Sequence, residues 1–273
     1  MAGIEHFRER YGPWAIVAGA SEGTGRSFAR QIAAQGIRCI LIANGGPLEA
    51  VAQEIKIESG VDCVAAHIDL SAPDALEKIV AATEGREIGL YIANAGADPY
   101  GLRFLDGEID AWLDLVHINI TTTVRGCHHF GKLMRERRRG GILIVNSGAC
   151  YGGAGRLAIY TAAKAFQLNL CESLWSELRP FGVDVLSLVL GQTDTPAYHR
   201  LQARKGKPSS PNLASPDDVA RTGLARLGHG PVHNIGLADD AAGGLLASAH
   251  TRRERVLKMD AAIDHLFGKI DAA

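Results

Sequence analysis

Net charge, paired cysteines and long apolar runs are all scarce in this 273-residue chain. Lys plus Arg number 29 against 30 Asp plus Glu, a formal charge of -1. There is no overall field to draw nucleic acid or anionic lipid, so either partner would need a local patch. The one basic run, Arg135, Arg137, Arg138 and Arg139, closes a helical pattern, where positive charge complements the dipole, and it reads as a solvated helix end. Five cysteines, Cys39, Cys63, Cys127, Cys150 and Cys171, are odd in number, widely spaced and without a C-x-x-C pair. They argue against a thiolate zinc site or a redox dithiol and fit free thiols in a cytoplasmic protein. The histidines, including adjacent His128 and His129, lack metal-ligand spacing, so no metal is expected. No apolar run approaches the roughly 18 residues of a membrane span. Glu5, Arg8, Glu9 and Arg10 stand where a secretory signal would be apolar, so no membrane association is expected.

What is present is a globular composition, 47% hydrophobic and 22% charged, with glycine as the outlier. Its 32 glycines are about 12% of the chain, against an ordinary share of about 7%, and they call for tight turns and close backbone approaches. The length suits one large domain over 1–273. Short apolar runs near 14–18, 37–42, 61–66, 88–93, 142–146 and 183–190, with a further one near 232–235, alternate with helical patterning near 31–35, 48–58, 75–82, 110–137 and 158–178. Alternation of this kind predicts an α/β fold: a doubly wound, Rossmann-like parallel sheet flanked by helices. The stretch Arg204–Pro216 reads as a long irregular loop within a flexible substrate flap over about 192–216, and 238–273 as a helical tail.

The first strand runs directly into Gly19-Ala20-Ser21-Glu22-Gly23-Thr24-Gly25, after which a helical pattern begins. Strand, glycine turn and helix start together form a cradle of backbone N–H groups suited to a pyrophosphate. The spacing G-x-x-x-G-x-G differs from the commoner G-x-G-x-x-G. At the end of the second strand an acidic residue would take ribose hydroxyls and an arginine a 2′-phosphate, but Ala43-Asn44-Gly45-Gly46 offers neither. Glu22 would repel a phosphate and Arg26 attract one, so NAD and NADP both stay open. Asp69-Leu70, after the third strand, suits an adenine ring, or a helix cap before Pro73, or both.

Tyr160 and Lys164 stand four residues apart in a helical stretch and so share one face. An ammonium beside a phenol favours the phenolate and makes tyrosine a general acid/base. Ser147, thirteen positions before Tyr160, closes the strand Ile142–Asn146, at the carboxyl edge where ligands bind. With the glycine turn, Asn94-Ala95-Gly96 after the fourth strand, Asn119 and Gly191-Gln192-Thr193-Asp194-Thr195 after the sixth, the sequence resembles the short-chain dehydrogenase/reductase family from about residue 14 to about residue 196.

The resemblance implies an NAD(P)-dependent oxidoreductase interconverting a secondary alcohol and a ketone. Ser147 would bond the substrate oxygen and Tyr160 would exchange the proton there. Lys164 would lower the tyrosine pKa and hold the nicotinamide ribose, while Asn119 would hold a water linking Lys164 to solvent. Gly19, Ser21, Glu22, Gly23, Thr24, Gly25, Asn44, Asp69, Leu70, Asn94, Ala95, Gly96, Tyr160, Lys164, Gly191, Thr193 and Thr195 would line the cofactor site. A homodimer or homotetramer is implied. Ala18 and Leu190 depart from the family's usual threonine and proline. The alternative is a catalytically silent nucleotide sensor or scaffold on the same fold. Tyr100, Phe104, Tyr151, Tyr198 and Leu201 suggest an apolar or aromatic small-molecule substrate, with room left by Gly152, Gly153 and Gly155.

Overall fold

A computed structural model describes residues 2–206, 208–235, 251–254 and 257. Nine helices and seven strands occur among them, in the order α1 (Ala2–Tyr11), β1 (Trp14–Ala18), α2 (Gly23–Ala33), β2 (Arg38–Ala43), α3 (Leu48–Ser59), β3 (Cys63–His67), α4 (Ala75–Thr83), β4 (Ile88–Ala93), α5 (Ile109–Val116), α6 (Thr122–Arg137), β5 (Gly140–Ser147), α7 (Ala158–Leu178), β6 (Val183–Leu190), α8 (Pro196–Arg204), α9 (Pro216–Arg226) and β7 (Val232–Ile235). All seven strands pair in parallel in the order β3-β2-β1-β4-β5-β6-β7. Chain order reverses between β1 and β4, which opens a crevice at the carboxyl ends of these two strands.

The strands are apolar on both faces because both are covered, as a parallel sheet requires. Alternate residues divide between two cores: Ala15, Val17, Leu41, Ile92, Leu143 and Leu188 pack with Phe28, Ile32 and Val219 on one face. Ile16, Ile40, Tyr91, Ile142 and Val185 pack with Phe130, Cys171 and Trp175 on the other. The period-2 alternation of a strand thus sorts each run into two layers.

Three helices had no counterpart in the sequence reading. α1 uses the charged N-terminal stretch: Phe7 and Tyr11 pack on the core, while Arg10 Nε and Tyr11 Oη bond Asp184 at 2.5 and 2.7 Å. α8 lies within the expected flap over about 192–216, and α9 begins at its end. Thr195 and Ser215 cap them, each followed by a proline in the first helical turn, where its missing N–H costs nothing. The loop proper is therefore 205–215, and its ends are fastened, since Asp194 N donates to Ala214 O and Ala214 N to Gln192 O, both at 2.9 Å. Most of the expected helical tail over 238–273 lies outside the described residues.

Residues 251–254 dock against α7. The Arg252 guanidinium pairs with Glu172 through two nitrogens, Nη2 to Oε2 at 2.9 Å, and both side chains are 9% exposed. Arg252 also lies over the Tyr151 ring, 5.8 Å from its centroid, and Tyr151 Oη donates to Asn234 Oδ1 at 2.8 Å.

Candidate active site

The expected site residues occupy the carboxyl ends of the strands and the segments that follow them, along one edge of the sheet. The glycine turn closes β1. Gly19 has φ +83°, and a Cβ there would stand 3.0 Å from Asn94 Nδ2 and the Ala95 backbone. A Cβ on Gly25 would fall 1.9 Å from the Gly19 carbonyl, so the first turn of α2 folds back on the turn that precedes it. Asn94 locks this arrangement across the β1–β4 crevice: its Nδ2 donates to Gly19 O at 2.9 Å and its Oδ1 accepts from Thr24 Oγ1 at 2.8 Å.

The N-terminus of α2 fits a phosphate-bearing cofactor. Its N-cap, Glu22, makes no side-chain cap, and no acidic residue lies in the first turn, so the leading N–H groups keep their capacity. Glu22 would oppose an anion, but Arg200 of α8 reaches across and pairs with both of its oxygens, Nη1 to Oε2 at 2.9 Å. Thr195 lies against the same turn: a Cβ on Gly23 (φ +54°) would meet Thr195 Cγ2 at 3.0 Å. Thr195 itself caps α8 through Tyr198 N, Thr193 Oγ1 bonds Gly191 O at 3.3 Å, and Gly191 N is held by Ile235 O.

On the adenosine side, Ser21 packs against Gly46. Asp69 does not cap α4, whose N-cap is Asp74; its carboxylate turns onto Ser71 N and Oγ at 2.9 and 2.7 Å, and these bonds hold its pKa below the usual value. Asn44 adds a smaller pull in the same direction on Asp69, and Leu70 O accepts from Thr122 Oγ1 at 2.8 Å. Arg26, open as a phosphate ligand in the sequence, is held by Glu54 with Nη2 2.5 Å from both oxygens.

Ser147, Tyr160, Lys164 and Asn119 converge. β5 ends at Ser147, whose Oγ accepts from Ala149 N at 3.2 Å and lies near enough to the Tyr160 phenol to favour its ionised form. One helical turn on, Lys164 Nζ lies 5.6 Å from the centroid of the Tyr160 ring. Burial dominates both groups: it pushes the Tyr160 phenol up against the opposing influence of Ser147, and it pulls the Lys164 ammonium down to about 8. Lys164 does not bond the phenol. Its Nζ donates to Val145 O at 3.1 Å and to Gln167 Oε1 at 3.0 Å.

Asn119 sits in a π-helical turn, His117–Thr121, between α5 and α6. Its Nδ2 donates to Leu115 O at 2.9 Å, its Oδ1 is buried without a partner, and its carbonyl accepts from Gln167 Nε2 at 2.7 Å. The Gln167 side chain joins the Asn119 carbonyl to Lys164 Nζ. Gly96 makes room for Asn119: at φ +133°, a Cβ would lie 2.2 Å from Oδ1.

Sequence reasoning missed Gln167 and Asn146. The Asn146 amide donates to Lys164 O and Ser187 Oγ, both at 3.1 Å, and its Oδ1 accepts from Ser147 N at 2.8 Å, tying α7 to β5 and β6 directly under the site. Its place beside Ser147 was the available signal. Cys150 lies in the wall as expected, and burial pushes its thiol up to about 12, so it stays protonated. Tyr100 and Phe104, expected in the substrate wall, both pack on Trp112, and at Gly152, Gly153 and Gly155 an added Cβ would meet nothing within 4 Å.

Comparison with known proteins agrees with this geometry. The sequence profile described as short chain dehydrogenase matches residues 13–206. A 7beta-hydroxysteroid dehydrogenase of Clostridium sardiniense is 31% identical over 228 residues, 82% of this chain and 85% of that protein. A structure reported for 7beta-hydroxysteroid dehydrogenase stereoselectivity superposes with a TM-score of 0.77 at 25% identity, covering 96% of this chain and 95% of the other. A short-chain dehydrogenase from Sphingobium yanoikuyae, solved in complex with NADPH, superposes with a TM-score of 0.75 at 26% identity, covering 96% and 97%.

Proposed function

Because the chain belongs to the short-chain dehydrogenase family of NAD(P)-binding oxidoreductases acting on CH–OH groups, we propose that it interconverts a bulky, apolar secondary alcohol and its ketone, with Tyr160 as the proton-exchanging residue. The carrying observation is the convergence of Ser147, Tyr160 and Lys164 at the end of β5.

Bound NAD(P) supplies or takes the hydride. Gly19, Ser21, Glu22, Gly23, Thr24 and Gly25 would hold its diphosphate at the start of α2, with Asn94, Ala95 and Gly96 supporting the turn from β4. Asn44, Asp69 and Leu70 would border the adenosine, while Gly191, Thr193 and Thr195 would border the nicotinamide side. Lys164 would hold the ribose through the N–H its two protein acceptors leave over. Ser147 would donate to the substrate oxygen and Tyr160 would give or accept the proton there. With the phenol held up by burial, the tyrosine stands ready as an acid at neutral pH, which suits ketone reduction. Alcohol oxidation needs the phenolate and should rise with pH.

The substrate class is read from the walls and the relatives. Tyr100, Leu102 and Phe104 are exposed on one side and the open glycine turn 152–155 lies on another, which suits a rigid apolar body. Hydroxysteroids are the first compounds to try, on the name of the C. sardiniense relative. The segment 192–216 is read as the lid over the cleft, supported by the Arg200–Glu22 pair that joins it to the glycine turn. Exposed Leu105, Ile109 and Leu113 with Phe166 on α7 favour a homo-oligomer, and the unpaired cysteines favour a reducing cytoplasm.

The test is Tyr160→Phe, which removes the hydroxyl and keeps the ring. Turnover of a substrate found by a 340 nm absorbance screen should fall about 10²-fold or more, with cofactor affinity close to wild type. Retained turnover with an unchanged pH profile would overturn the proton-transfer role of Tyr160, whereas a wild-type protein that binds cofactor and turns over no alcohol or ketone would favour a nucleotide-binding protein without catalysis.

A further inference from the structure

Gln167 lies on α7 one turn beyond Lys164, with no exposed surface, and it belongs to no motif of the sequence. Its amide joins two groups that come from different elements. The Asn119 carbonyl, on the π-helical turn, accepts from Nε2 at 2.7 Å, and Lys164 Nζ donates to Oε1 at 3.0 Å. The two ends of an amide are not equivalent: one only donates and the other only accepts. A backbone carbonyl only accepts, so Asn119 obliges Gln167 to present its NH₂ on that side. The oxygen is then fixed toward Lys164, and reversing the amide would set oxygen against oxygen at one end and leave donors facing donors at the other.

We propose that Gln167 is a positioning residue for Lys164: the Asn119 carbonyl sets the direction of the Gln167 amide, and the amide oxygen in turn holds the Lys164 side chain in place and in its charged form. The inference rests on the cofactor-holding role assigned to Lys164 above. A buried ammonium needs acceptors, because burial alone favours the neutral amine. Lys164 has two protein acceptors, Val145 O and Gln167 Oε1, and Lys164 is 3% exposed. β5 offers only the uncharged Val145 carbonyl and the π-helical turn only Asn119. The titratable groups nearby are Tyr160 on the same helix, Cys150 on the turn after β5 and, beyond Tyr160, Asp98 on the loop after β4. Burial keeps Tyr160 and Cys150 neutral at working pH, so neither supplies a countercharge. Gln167 therefore supplies one of two contacts that keep the ammonium charged.

The experiment follows NADPH and NADH binding by nucleotide fluorescence as a function of pH, which needs no turnover. In the wild-type protein, affinity should weaken as pH passes the Lys164 pKa, near 8. Gln167→Leu removes the acceptor and should move this alkaline limb down by about one to two pH units, the worth of a hydrogen bond to a charged group. Gln167→Glu places a carboxylate against the ammonium and should move the limb upward. Gln167→Met serves in place of Leu if that variant does not fold, with circular dichroism as the check. A residue that merely fills space would lower thermal stability in both variants without moving the limb. Limbs that stay within about 0.3 unit of wild type, or that move the same way in both, would overturn the proposal. Limbs that shift as stated in a protein without alcohol or ketone turnover would sink the proposed reaction and leave this inference standing. Tyr160-dependent turnover with unmoved limbs would do the reverse.

Discussion

Replacing Arg252 by methionine takes the two-nitrogen contact of Arg252 from the Glu172 carboxylate, which is 9% exposed in the seam between α7 and residues 251–254. The isolated pair need not be net stabilising, because two charges must be stripped of water to form it. Removing one member is different, since the desolvated charge remains. Such losses run at about 3–5 kcal/mol in buried pairs. A chain of 273 residues unfolds with an entropy of about 0.57 kcal/mol per kelvin, from roughly 2.1 cal/mol/K per residue, so the midpoint should drop by about 5–9 °C. Differential scanning calorimetry of Arg252→Met, Glu172→Leu and the double variant separates the terms. The double variant should regain most of the loss, because an apolar pair of similar volume no longer strands a charge. A midpoint within 1 °C or so of wild type in Arg252→Met would refute the buried pairing, and with it the docking of 251–254 on α7.

Two further outcomes are expected. Gly96→Ala must accept φ +133° and a Cβ 2.2 Å from Asn119 Oδ1; the backbone cost alone is about 1–3 kcal/mol, and displacement of Asn119 should lower turnover about tenfold, read by thermal melting and steady-state kinetics together. Wild-type values in both would contradict the packing of Gly96 on Asn119. Arg200→Ala should speed cofactor release about two- to five-fold in stopped-flow fluorescence at low ionic strength, with the difference fading toward about 1 M salt, and a salt-independent effect would show that the Glu22 contact is not what closes the lid.

The strands were legible because a buried parallel strand announces itself as a short apolar run, and β1 to β7 fall where those runs stand. Glycine turn, Ser147, Tyr160 and Lys164 were legible because each sits at a strand end or on a helix face that follows directly from local spacing. α9 carried its own signals, Ser215 as cap with Pro216, Asp217 and Asp218 in the first turn, yet the prolines and serines just before it drew its start into the loop reading. Gln167, Arg252 and Arg200 were beyond local pattern: their partners Asn119, Glu172 and Glu22 lie 48, 80 and 178 residues away, and only the folded sheet brings them together. Of the two readings of Asp69, the helix cap fails, because its carboxylate closes a local turn onto Ser71 and Asp74 stands at the helix start.

The π-helical turn His117–Thr121 amounts to one residue too many in an otherwise continuous α5–α6 helix. An α-helix turns by about 100° per residue, so deleting that residue would restore regular hydrogen bonding and rotate all of α6 by that angle. Gly126, which lets the Tyr91 hydroxyl approach within 2.4 Å of where its Cβ would be, would swing off the sheet, and the turn that presents the Asn119 carbonyl to Gln167 would be lost. The surplus residue therefore acts as a frame marker. A substitution along α5 or α6 leaves that register unchanged, whereas a single deletion between them would disconnect it from the site, so insertions and deletions in this stretch should be tolerated only in compensating pairs.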